Sequence, residues 1–317
     1  MTPPRKDEHA HRLPDVSMDN YESMRSTALN SISNTETTGH APAKTVHTVL
    51  LDLLKVFDCI CAQHNLRYIA THGTLLGAVR DGGFAPGDDD LDVAMPRPDY
   101  DRLLQLAEDG VFPNPYFLQT PENEPECFYG GYAKLRDSST SAIEPPYQDR
   151  CFNQGIWMDI LPLDNCPKDY RATQKQQRIV RFWQRILYAK TYGLDMRKFW
   201  DADPAHVSAY FIAEKHIDRQ TACKRLRKKC MAAKPSGQLT VFAMNYPRAP
   251  NTLRYNAIDL ENATRVSFET TMVPIPQNAE AWLADHYGPT WMIVPRPITN
   301  KSAHDVVFDP NVPYTSI

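Results

Sequence analysis

Four carboxylates stand within five positions: Asp88, Asp89, Asp90 and Asp92. They lie in the segment HGTLLGAVRDGGFAPGDDDLDVAM, residues 72–95. On a strand, residues two apart point to the same face, so Asp90 and Asp92 project together while Leu91 and Val93 oppose them. Two carboxylates a few ångström apart repel each other's charge. A hard divalent cation that prefers oxygen ligands, Mg²⁺ or Mn²⁺, relieves that repulsion. The competing reading is an acidic surface turn solvated by water. Against it, the run passes directly into Leu91, Val93, Ala94 and Met95, which sets Asp92 at the edge of a core. The ligand spacing of an EF-hand loop is absent.

Two further features bear on the same chemistry. Asp159 lies among Ile156, Trp157, Met158, Ile160 and Leu161. An unpaired ionised carboxylate in such a strand costs several kcal/mol, so it needs an arginine, a proton, a backbone hydrogen bond or a metal. If this strand neighbours the one carrying Asp90 and Asp92, three carboxylates converge. His72-Gly73-Thr74 sits where a strand gives way to a helix, and the first N–H groups of a helix suit a phosphate. Gly-Thr is also a common helix start. Lys134 and Arg136 alternate along a predicted strand and would add positive charge for a polyphosphate. Solvated charges on an edge strand are the alternative.

The elements that must position these groups are legible from periodicity. Val46, Val49, Leu50, Leu53, Phe57, Ile60 and Cys61 form one stripe of a helix over 44–65. A short strand is predicted at 66–71, helical turns at 74–81 and a loop at 84–89. A strand at 91–95 and a helix at 98–108 follow. The middle is strand-rich, with strands at 116–119, 129–136, 139–143 and 155–161. Helices are predicted at 168–192 and 210–233, strands at 238–244 and 264–272, and a helix at 278–287. A mixed first half followed by a helical second half predicts an α+β fold, or α/β, with an appended helical part.

Composition narrows the function classes. The 317 residues permit one large domain or two small ones. A net charge of −3 argues against binding nucleic acid through bulk charge. No run of about 18 apolar residues predicts a transmembrane helix. The first 42 residues are polar and lack the apolar stretch of a secretory signal, so they read as a loosely docked or disordered extension. Seven scattered cysteines with no CxxC pattern predict neither a zinc site nor a disulfide framework, and fit a reducing cytoplasm.

The segment 72–103 resembles the signature of the LicD family, which includes bacterial phosphorylcholine transferases and is related to fukutin and fukutin-related protein. Gly73 to Arg80 matches the family pattern throughout, as do Gly83-Phe84-Ala85-Pro86 and Asp88 to Asp92; Gly87 stands where the family usually has Trp. Lys134-Leu135-Arg136-Asp137-Ser138 and the segment 155–164 are similar to two further family segments. Near the end, Val273-Pro274-Ile275-Pro276, Tyr287-Gly288 and His304 resemble its closing region, with Lys301 where many members carry Arg.

The resemblance implies a polymerase-β-like nucleotidyltransferase core with an appended C-terminal helical region. Domain limits follow as an extension over 1–42, a LicD-like domain over 43–305 with its core at 66–164 and a helical part at 167–234, and a tail at 306–317. It gives Asp90, Asp92 and Asp159 the catalytic and metal-binding roles, and Gly73, Thr74, Arg80, Lys134 and Arg136 the nucleotide and phosphate contacts. It implies Mg²⁺ or Mn²⁺ and a CDP-activated donor of phosphocholine or ribitol phosphate. The acceptor would be a sugar hydroxyl on a cell-surface glycan such as lipopolysaccharide or teichoic acid, or on a lipid-linked precursor, with CMP released. Two alternatives stand beside it: nucleotidyl transfer from an NTP with release of pyrophosphate, and a non-catalytic scaffold. Retention of all the carboxylates speaks against the scaffold. No nucleic-acid partner is expected. The basic run within 215–229 predicts either peripheral contact with the inner face of a membrane, which suits a cytoplasmic enzyme with a lipid-linked acceptor, or a solvated helix face.

Overall fold

The computed structural model describes residues 44–144, 147–192, 211, 215–243, 253–293 and 306–316. Helix α1 (Val46–Gln63) begins where the Thr45 hydroxyl accepts from the Thr48 N–H. It ends as Asn65 turns left-handed, at φ 52°, and the Leu66 N–H bonds back to the Cys61 carbonyl. Its apolar stripe, including Leu50, Leu53, Leu54 and Phe57, is buried across the central sheet. The chain then forms β1 (Ile69–Ala70), α2 (His72–Arg80), β2 (Asp92–Pro96) and α3 (Arg97–Glu108). Next come β3 (Tyr116–Gln119), β4 (Ala133–Asp137), β5 (Ser141–Ile143) and the long β6 (Ile156–Asn165).

The central sheet runs β1-β2-β6-β4-β3. Within it β2 and β6 are parallel, and the other pairs are antiparallel. Register decides which side chains meet. Val93 pairs with Ile160 and Leu135 with Met158, while Asp92 pairs with Asp159, Lys134 with Asp159 and Arg136 with Trp157. Because strand side chains alternate, Val93, Leu135, Met158 and Ile160 share one face. Asp92, Lys134, Arg136, Trp157 and Asp159 share the other.

The rest of the chain buttresses this sheet. Helix α4 (Tyr170–Tyr192) packs on α5 (Arg219–Cys230), around a second core that includes Val180, Ile186, Leu187 and Leu226. The part of the 210–233 prediction before residue 215 lies outside the described residues, save residue 211. Strands β7 (Gln238–Thr240) and β8 (Tyr255–Asn256) extend the sheet, with β7 pairing the far end of β6. Then follow α6 (Ala257–Glu261), the hairpin β9 (Thr264–Phe268) and β10 (Thr271–Ile275), and α7 (Ala279–Tyr287). Strand β11 (Val307–Asp309) pairs with β5, so the closing segment is docked on the body, and a 3₁₀ turn (Tyr314–Ser316) follows it. The architecture is α+β with a curled sheet. Beyond residue 167 the described residues are mixed, since five strands follow the two long helices.

Where a single strand is expected at 264–272, the structure has two strands and a tight turn. The turn residues are Glu269 and Thr270, and Glu269 takes φ 51°. No Gly, Asn or Asp marks that turn, so it carries none of the usual turn signals.

Helix α2 is pressed against the loop that follows it. A Cβ on Gly77 would stand 2.2 Å from the Gly83 carbonyl oxygen and 2.8 Å from the Ala85 nitrogen, both backbone atoms. Helix propensity alone favours Ala over Gly by about 1 kcal/mol. Gly77→Ala is nevertheless expected to destabilise the protein by about 1–3 kcal/mol, because backbone must shift to admit the methyl group. The midpoint of denaturant unfolding checks this, and a rise in stability would show that the loop yields freely.

Candidate active site

The two halves of the site meet at Asp92. Its N–H donates to the Thr74 hydroxyl at 2.8 Å, and its carbonyl accepts from the Thr71 N–H at 3.1 Å. The turn Thr71-His72-Gly73-Thr74 is thereby tied by both edges to the strand that carries the carboxylate. His72 holds φ 46°, a left-handed conformation that costs a bulky residue about 1 kcal/mol. Thr71 stands at the N-cap of α2 and makes no side-chain capping bond, and N–H groups at a helix start suit an anion.

Asp159 stands beside Asp92 in parallel register, and its N–H donates to the Leu91 carbonyl at 2.7 Å. Both carboxylates belong to buried residues. Burial raises the Asp92 carboxyl well above its ordinary value, and repulsion from Asp90, Asp159 and Asp88 raises it further against the opposing pull of Lys134. The Asp159 carboxyl is also raised, first by burial, although Lys134 pulls it down through charge and a hydrogen bond. The Lys134 ammonium donates to Asp159 Oδ1 at 2.6 Å and lies 4.4 Å from the ring centres of both Tyr129 and Trp157.

A hard divalent cation fits the donor chemistry of this cluster, because the oxygens of Asp88, Asp90, Asp92 and Asp159 repel one another around Asp92. Among the described residues, no three such side chains stand in a ready-made coordination arrangement. The Lys134 ammonium holds one oxygen of Asp159 in this geometry.

The remaining candidates are placed differently. Arg80 is the last residue of α2, roughly 12 Å along the helix from its first residue, and its guanidinium pairs with Asp81 at 2.8 Å. Arg136 is 0% exposed. It donates to the Gly155 carbonyl at 2.7 Å and to Gln119 Oε1 at 2.8 Å. Its carbon centre lies 5.0 Å from the Trp157 ring centre. The alternation that puts Lys134 and Arg136 on one face holds, and the alternative of edge-strand charges turned to solvent does not. β4 lies between β3 and β6, and both side chains are buried. The other aspartate of the 155–164 segment, Asp164, serves elsewhere: Arg97 holds it with two bonds of 2.7 Å at the opposite end of β6.

Sequence reasoning passed over Trp157, whose ring lies within reach of both cations. Its place two residues before Asp159 was the available signal. His47 was also missed; its Nε2 is 2.7 Å from the Asp88 carbonyl oxygen, across 41 residues. In the basic run, Arg225 packs over the Trp183 ring, Arg227 pairs with Asp101, and Arg219 donates to the Pro121 and Cys127 carbonyls. Lys224 and Lys228 remain exposed. Lys301 and His304 lie outside the described residues.

The candidate site thus sets two buried carboxylates side by side on parallel strands, beside a helix start suited to phosphate. The family model described as LicD/FKTN/FKRP, nucleotidyltransferase domain, matches residues 65–123. That stretch holds the helix start and the carboxylates up to Asp92. The lipopolysaccharide cholinephosphotransferase LicD of Haemophilus influenzae (strain ATCC 51907 / DSM 11121 / KW20 / Rd) is 30% identical over 135 residues. The aligned part is 41% of this chain and 49% of that protein, so this chain spans about half the length of its relative. Both matches are to LicD proteins, and over these stretches the chain is similar to that family.

Proposed function

We propose that the chain moves a phospho-alcohol group, such as phosphocholine or ribitol phosphate, from a CDP-activated donor to a sugar hydroxyl of a cell-surface glycan or its precursor. The observation that carries this reading is the register of Asp92 against Asp159, with the backbone of Asp92 bonded on both sides to the start of α2. One buried site thereby joins acidic ligands to N–H donors, the combination that a diphosphate bridged by a cation requires.

In this reading Asp90, Asp92 and Asp159 hold Mg²⁺ or Mn²⁺. The cation, when bound, neutralises charge on the attacking and leaving oxygens. The amides of Gly73 and Thr74 bind a phosphate oxygen. Lys134 supplies a fixed positive charge beside Asp159. The acceptor oxygen bonds to the distal phosphorus, the bond from that phosphorus to the CMP oxygen breaks, and CMP leaves. One carboxylate takes the hydroxyl proton, a role favoured by a raised proton affinity. The polymerase-β-like description of the core belongs to the same proposal. Among the described residues no helix is long and apolar enough to cross a membrane. The exposed Lys224 and Lys228 would meet the anionic surface around a lipid-linked acceptor, on the cytoplasmic face.

Incubating the protein with Mg²⁺, a panel of CDP-alcohols and NTPs, and glycan acceptors tests this. Release of CMP with phosphorus appearing on the glycan is expected. Release of pyrophosphate from an NTP with no CMP from any CDP donor would replace the proposal with nucleotidyl transfer.

A further inference from the structure

We propose that Glu269, at the tip of the β9–β10 hairpin, is a positioning residue that latches the acidic loop and so sets where Asp88, Asp89 and Asp90 stand. The functional weight of the latch rests on the reading of the site given above; the latch itself rests on geometry. The Glu269 N–H donates to the Gly82 carbonyl at 2.9 Å, and the Phe84 N–H donates to Glu269 Oε1 at 3.1 Å. The carboxylate fits so closely over the loop that a Cβ on Gly83 would stand 2.1 Å from Oε1. The next residue is clasped as well. The Phe84 ring meets Phe268 edge-on at 5.1 Å and stacks on His47 at 3.9 Å. The His47 ring is in turn bonded to the Asp88 carbonyl.

These partners come from distant parts of the chain, 185 residues apart for Phe84 and Glu269, so local turn preference does not explain them. The backbone of Glu269 points the same way. A two-residue hairpin tip at φ 51° is a position that glycine or asparagine fills most easily. Glutamate there is disfavoured by its own turn, yet its carboxylate caps an amide of the loop that leads into the site. Strain kept at one residue and used by another segment is the pattern expected of a positioning contact.

Two variants separate the latch from the turn. Glu269→Gly suits the left-handed backbone and removes the carboxylate. Glu269→Gln keeps an oxygen that accepts from the Phe84 N–H. Hydrogen exchange in the full chain without metal is the first measurement. In Glu269→Gly the amides of 83–90 are expected to exchange about tenfold faster, as for loss of one hydrogen bond. The cross-strand amides of β9 and β10 keep their protection, and Glu269→Gln restores the loop. Loop exchange in Glu269→Gly equal to that of the wild type would overturn the latch.

The second measurement is stabilisation against heat by Mg²⁺ alone. The Mg²⁺ concentration needed is expected to rise about tenfold in Glu269→Gly and to return in Glu269→Gln. A faster loop with unchanged Mg²⁺ response would overturn the positioning role. A wild type blind to Mg²⁺ overturns the metal reading of the site, and the exchange result then decides the latch by itself.

Discussion

Asp92→Asn is expected to lower transfer by about a hundred- to a thousandfold, as for loss of a preorganised charge at the reacting centre. The same change should leave the metal-free protein at least as stable as the wild type. Asparagine has nearly the volume of aspartate, and its carbonyl and amide still suit a polar pocket. It removes a buried charge that faces Asp90, Asp159 and Asp88. The pH dependence gives an independent sign. The folded-state proton affinity of Asp92 is raised by burial and repulsion. The folded protein therefore binds more protons than the unfolded chain above the ordinary carboxylate range, and stability falls as pH rises through that window. Asp159 adds to the slope in the same direction. Asp92→Asn should flatten the slope, and Mg²⁺ should flatten it in the wild type. Denaturant midpoints between about pH 4 and 8 read both effects. Full turnover in Asp92→Asn would remove this residue from the machinery.

Arg136→Ala is expected to destabilise the fold by about 3–5 kcal/mol, a large part of the stability of a typical domain. Truncation leaves the Gly155 carbonyl and Gln119 Oε1 buried without their donor, and opens a void beside Trp157. The family resemblance makes Arg136 a donor contact; the structure makes it a brace between β3, β4 and the start of β6. The variant should thus lose its denaturant midpoint first, with donor affinity falling only where the fold is lost. A variant of wild-type stability that binds a CDP donor tenfold or more weakly would return Arg136 to the contacting residues.

The difference between these two residues shows where the sequence is readable. Asp92 and Asp159 are carboxylates in apolar strands, and that conflict between charge and surroundings is visible in one dimension. Their adjacency depends on a parallel pairing across 67 positions, which the register of β2 on β6 supplies. Arg136 carries no such mark, because an alternating charge reads alike on an edge strand and on an inner one. Only the strand order places β4 inside the sheet. Helix α1 was legible nearly to the residue because its stripe and cap are local. The β9–β10 turn was not, since a glutamate in a left-handed conformation is held by the loop it touches and not by its own preference.

Asp92 and Asp159 are proposed to hold a divalent cation together with Asp90. Electron paramagnetic resonance of Mn²⁺ titrated into the wild type, Asp92→Asn and Asp159→Asn tests it without reference to any donor or acceptor. Saturable binding to the wild type is expected, competed away by Mg²⁺ and lost or much weakened in both variants. Equal Mn²⁺ binding by all three proteins would contradict it.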